Sequence, residues 1–177
     1  LPADAMPHPF PRRVPAPGSS DAETTKCTHV DFRDPDLPWR YTPEPVAGDR
    51  LRPWLALIVG PAEEVRVAGG VATIPPAILQ DHRLADSWGW AHVHDPEGFS
   101  RLLSAHPPLR ALTPHTAVLV PAFNDRGEDM WDATGRLNNG GEPLRALASW
   151  QFATGEGGDF ETLTAQLRMP KARDLGK

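Results

Sequence analysis

The sequence predicts an α+β domain with a mixed or antiparallel β-sheet, two to three short helices and an extended Pro-rich N-terminal arm. Three observations carry that expectation. The 177 residues include 21 prolines, roughly twice the usual share of about 5%, and proline favours arms, turns and edge strands over long helices. Two short, continuous apolar runs, Trp54–Val59 and Ala117–Val120, are bounded by proline or glycine, as buried strands are. The remaining apolar positions between them recur at helical spacing.

Taken in order, residues 1–26 read as the arm. Pro2, Pro7, Pro9, Pro11, Pro15 and Pro17 hold the backbone extended, and Gly18-Ser19-Ser20 ends the run. Such a segment buries too little apolar area to fold alone. It is either a tail or an arm that orders along a neighbouring subunit, with Phe10 and Val14 as the residues it has to bury. Residues 27–177 form one α+β domain. Val30-Asp31-Phe32 alternates, and flanking prolines predict an extended Trp39-Arg40-Tyr41. Two Pro-Trp pairs, at Trp39 and Trp54, bracket a turn. Each indole has a large apolar surface and one N–H donor, so the pair predicts a fixed structural corner.

Trp54–Val59 predicts a central strand with both faces buried. Glu64–Val67 and Val71–Ile74, joined at Gly69-Gly70, predict a β-hairpin. Leu84, Trp88 and Ala91 at i, i+4 and i+7 predict a helix from Asp81 to about His94. A second helix from Pro96-Glu97 turns Phe99, Leu102 and Leu103 inward until Pro107-Pro108. Ala117–Val120 predicts a second central strand, residues 124–143 a polar loop, and Leu147–Phe152 a further strand. Asp159 caps a last helix carrying Phe160, Leu163 and Leu167.

Composition narrows the function classes. Net charge is −5, from 18 basic and 23 acidic residues, and the signs are interspersed. Phosphate binding needs clustered cations, so nucleic acid is not an expected partner. No apolar run approaches the roughly 20 residues that span a bilayer, so membrane insertion is not expected. A single cysteine, Cys27, allows no intrachain disulfide. These readings make a cytoplasmic location the default expectation.

Candidate sites are few. His92-Val93-His94 would share a face on a strand and could chelate Zn²⁺ with a carboxylate, Asp95 or Asp81 being nearest in sequence. On the predicted helix, residues two apart diverge by about 200° and hold no common ion. The Gly155–Gly158 loop lacks a lysine and carries Glu156 and Asp159, so it reads as a capped turn and not a phosphate cradle. Cys27 beside Lys26 and His29 lacks the third group a nucleophilic site needs. No catalytic residue, metal ligand or cofactor is therefore expected. Trp54, Trp88 and Trp150 fall on expected core faces, and Trp90 points elsewhere. Met130 and Trp131, in a polar loop, read as exposed anchors of a protein contact.

A set of phrases resembles a family. Asp36-Leu37-Pro38-Trp39-Arg40-Tyr41-Thr42-Pro43, Leu51-Arg52-Pro53-Trp54-Leu55-Ala56-Leu57, Leu84–His92, Val118–Phe123 and Ser149–Phe160 occur in this order in large bacterial proteins. Those proteins are associated with phage-tail-like contractile injection particles. The phrases span residues 30–168, and the chain resembles the N-terminal portion of the longer proteins. It departs from them in the polar Asn124–Gly141 segment. The resemblance implies a non-enzymatic structural or adaptor component, at the particle's baseplate, whose partners are other protein subunits. Two alternatives follow from the residues alone. One is a metal-dependent hydrolase using His92 or His94; the other is a carbohydrate-binding module presenting Trp131 or Trp39.

Overall fold

A computed structural model describes residues 12–14, 20–21, 28–43, 50–94, 98–105 and 109–155, with the backbone alone at 12–14 and 20–21. The expected Cys27 environment, the last helix after Asp159, Phe10 and most of the arm lie outside these residues. The described architecture is mostly antiparallel β-sheet with few, short helices.

One sheet contains β1 (Arg12–Val14), β3 (His29–Phe32), β7 (Ala91–His94) and β8 (Phe99–Leu103), in the order β1-β3-β8-β7 with all pairs antiparallel. A second contains β2 (Ser20–Asp21), β4 (Leu55–Pro61), β9 (Pro114–Pro121) and β10 (Ala148–Thr154), in the order β2-β10-β9-β4. Only the β2–β10 pair is parallel. A bridge between Leu57 and Ser104 joins the sheets, so the outer side of β4 is partly closed by the chain leaving β8. The hairpin β5 (Arg66–Ala68) and β6 (Val71–Thr73) turns at Gly69-Gly70, both in the left-handed region that a tight two-residue turn requires.

Burial explains the two apolar runs. All seven residues of β4 are buried, as are the middle six of β9. At roughly 1.5–3 kcal/mol per buried Val, Leu or Ile, these strands supply much of the apolar stabilisation. Gly60 sits where a Cβ would lie 2.7 Å from Val65 and 2.8 Å from Ile78, so the β4 backbone is in close contact with its cover. In β10, by contrast, Trp150, Phe152 and Thr154 face the core while Ser149 and Gln151 face out. The expected strands at 54–59, 117–120 and 147–152 are all present. The first is buried as expected but stands at the end of its sheet's hydrogen-bonding order.

Three expectations are corrected. The region 81–94 is not one helix. A short helix α1 (Pro76–Asp81) starts earlier, with Pro76 in its first turn. A 3₁₀ segment then runs from Leu84 to Gly89, and Ala91–His94 is strand β7. The helical spacing of Leu84, Trp88 and Ala91 is coincidental: Trp88 is 46% exposed, while Trp90 is buried. The second expected helix is strand β8, where Ser100 and Leu102 are buried and their neighbours half-buried, a period of two. Short apolar segments fit either period, and here pairing between β7 and β8 decides. Trp39-Arg40-Tyr41 is a turn and not extended. Asp36 O accepts from Trp39 N and Arg40 N at 3.1 and 3.0 Å, and Asp34 Oδ1 accepts from Asp36 N.

The two described N-terminal segments meet both sheets. Arg12, Arg13 and Val14 pair with Asp31, Val30 and His29, and Ser20 and Asp21 with Ala153 and Thr154. Among the described residues, no helix is long and apolar enough to cross a membrane.

Candidate functional site

The two Pro-Trp segments clasp each other. Trp39 Nε1 donates to Leu51 O at 3.1 Å, and Trp54 Nε1 donates to Leu37 O at 2.7 Å. Each indole thus bonds the backbone beside the other. Trp54 N to Pro38 O, at 2.8 Å, and Thr42 Oγ1 to Arg52 O, at 2.7 Å, complete the corner. Arg52 carries the corner outward. Its guanidinium donates to Leu84 O at 3.2 Å, pairs with Asp129 at 2.8 Å and lies 5.0 Å from the Phe123 ring centroid.

Beyond the corner, residues 123–137 fold into two successive hairpin loops built the same way. In the first, Asn124 N donates to Glu128 O and Gly127 N to Asn124 O. Asn124 Oδ1 accepts from Arg126 N and Glu128 N. In the second, Asp132 N donates to Arg136 O and Gly135 N to Asp132 O. Asp132 Oδ1 accepts from Thr134 N and Arg136 N. Gly127 and Gly135 take φ of +77° and +74°, the left-handed residue that closes a three-residue hairpin loop. Hydrogen bonds hold the Asp132 and Glu128 carboxyls below their usual range, chiefly from Thr134 and Asn124 respectively.

Between this double loop and the corner lies an open cleft of about 530 Å³. Trp54, Phe123, Met130 and Leu144 contribute buried apolar surface, and Tyr41 packs edge-on to Trp54 at 5.1 Å. Asn124, Arg126, Asn138, Glu142 and Arg145 provide a rim of mixed charge. This volume is within the range of small-ligand clefts, roughly 300–1,000 Å³.

The exposed contact expected at Met130 and Trp131 is not there. Trp131 is 2% and Met130 8% exposed, and Trp131 Nε1 donates to His82 O at 2.9 Å. The bridges Phe123–Asp129 and Trp131–Leu137 define the two hairpins, and the stretch between them runs along the core instead of looping into solvent. The loop tips carry the polar residues that made the segment read as exposed. Trp39 is half-buried, and its N–H is already bonded to Leu51. Trp131 therefore offers no free platform for a sugar, and Trp39 offers only part of its surface. Val14 pairs through its backbone with His29 of the same chain. Among the described residues, the exposed large apolar side chains are Tyr41, Trp88, Val93 and Leu112. Arg50 stacks over Trp88 at 4.9 Å.

His92 and His94 do lie on a strand, and on one face of it, their ring centroids 5.8 Å apart. The divergence argued from a helix is therefore removed. Across the same face, His94 stacks on Phe99 at 4.6 Å, and His92 stands opposite Arg101. Arg101 in turn bonds both carboxylate oxygens of Asp31, at 2.7 and 3.1 Å. Partial burial, with His94 and Arg101 as neighbours, lowers the His92 pKa. Among the described residues, no group of three or more His, Cys, Asp or Glu is placed to hold a metal ion.

Comparison of the chain with protein families, with curated proteins and with solved structures finds no match.

Proposed function

We propose that the chain is a structural or adaptor component of a phage-tail-like contractile injection particle, at its baseplate, acting through protein–protein contacts and without catalysis. The observation that supports this reading is how the arm joins the domain. Its two described pieces, β1 and β2, each add a short strand to the end of a different sheet. Main-chain pairing of this kind is independent of the side chains involved, and neighbouring subunits use it to hold one another. Tyr41 and Trp88, exposed and each backed by a ring or guanidinium contact, are suitable anchors for a partner.

The test is native mass analysis of what co-purifies with the chain from its own cells, alongside a chain lacking residues 1–21. Recovery in a megadalton particle with sheath- and tube-like proteins, lost on truncation, is the expected result. A free monomer with no companions would overturn the particle reading. Equal recovery of the truncated chain would overturn the role of the arm.

A further inference from the structure

We propose that β7 carries half of a transition-metal site, and that a second copy of this chain completes it by antiparallel pairing of the two β7 strands around Zn²⁺. Four observations lead there. First, β7 ends its sheet, and among the described residues no strand pairs with its outer side. An unpaired strand edge is a template for another strand. Second, His92 and His94 share one face at a ring separation of 5.8 Å. Two imidazoles bound to one Zn²⁺ at about 2.0–2.1 Å need a separation of about 5 Å. A small change in side-chain torsion closes that gap.

Third, the described residues of one chain do not complete the site. Two imidazoles are half of a tetrahedral set, and no third ligand stands with them among the described residues. Fourth, the register of a two-fold strand pair supplies the rest. With Val93 opposite its own copy on the two-fold axis, each His92 falls opposite the other chain's His94. Directly opposed residues have Cβ atoms about 4.5–5.5 Å apart. All four rings then project from one face, around one ion. Val93, 44% exposed, becomes partly covered by its mate.

His94 is already oriented by its stack on Phe99, and its Nε2 is buried with no hydrogen-bond partner among the described residues. Arg101, opposite His92, is paired with Asp31, which offsets part of its charge. This inference does not depend on the particle reading, since it concerns only the pairing of two copies of the domain.

The experiment uses the full chain without a polyhistidine tag, stripped with EDTA and titrated with ZnCl₂ under native mass spectrometry. The expected species is a dimer holding one Zn²⁺, reversed by EDTA. His92→Ala, at an exposed position, should keep the far-ultraviolet circular dichroism of the parent and abolish the Zn²⁺-dependent dimer. His92→Cys, which restores a ligand, should recover it. A chain that stays monomeric at 100-fold excess of ZnCl₂, a monomer that binds Zn²⁺ without pairing, or a Zn²⁺-dependent dimer that persists in His92→Ala would each overturn the proposal.

Discussion

Individual residues reveal where the molecule has no slack. A Cβ on Gly135 would lie 2.0 Å from Pro76 O, so the second hairpin loop is pressed against the start of α1. Gly140 takes a similar φ of +69° with open space around it. Gly135→Ala should therefore cost about 3 kcal/mol or more, and Gly140→Ala only about 1 kcal/mol, since left-handed strain alone is of that order. Urea midpoints of the two variants would settle this; equal midpoints would refute the close contact. Leu112 is the reverse case. It has φ of +51° and is 68% exposed, so its side chain offsets little of the backbone cost. Leu112→Gly should raise stability by about 1 kcal/mol, and a fall would mean that the side chain is held by something else. His82 is fully buried, with Nδ1 donating to Ile78 O at 2.8 Å and Nε2 without a hydrogen-bond partner among the described residues. Burial lowers its pKa below the ordinary 6.5, and that of His115 likewise. Below about pH 6.5 the unfolded chain takes up protons that the folded chain refuses. Stability should thus fall as pH drops from 7 towards 5. His82→Leu should flatten that slope even if it alters stability at pH 7; an unchanged slope would exclude His82 as its source.

At the level of elements, the legible parts of the sequence were those where one signal dominated. The runs Leu55–Val59 and Ala117–Val120 are too apolar to be anything but buried, and Gly69-Gly70 between alternating residues specifies a tight turn. The pairing β7–β8 was not legible, because four- and five-residue strands leave too few positions to separate a period of two from 3.6. His92 and His94 were misjudged for that reason alone. Met130 and Trp131 were misjudged because average polarity hid a repeated pattern, Asn124-x-x-Gly127 and Asp132-x-x-Gly135, that is a specific hairpin signal. Asn124→Ala and Asp132→Ala each leave two loop N–H groups without their carbonyl or carboxylate acceptor. Each should cost about 1 kcal/mol, measured by denaturant unfolding, and the effects should be close to additive if the loops are independent. A coupling well above 0.5 kcal/mol would show that the double hairpin folds as one unit.

For the molecule as a whole, a bridge at Leu57–Ser104 and a shared buried cluster tie the two sheets together among the described residues, which predicts one cooperative unit. That cluster includes Trp54, Trp90, Trp131 and Trp150, from segments nearly 100 residues apart in the chain. Chemical unfolding followed by tryptophan emission and by far-ultraviolet circular dichroism should give coincident transitions. Separated midpoints would show that the sheets melt independently. The reciprocal bonds of Trp39 and Trp54 have a practical consequence. Thr42 to Arg52, Trp39 to Leu51 and Trp54 to Leu37 fasten both stems of residues 43–50 at once. The clasp thus fixes where the chain leaves and re-enters the domain on either side of that range. A label inserted there, such as an epitope or a fluorophore for following the protein inside living cells, would be anchored at both ends by bonds that do not involve it.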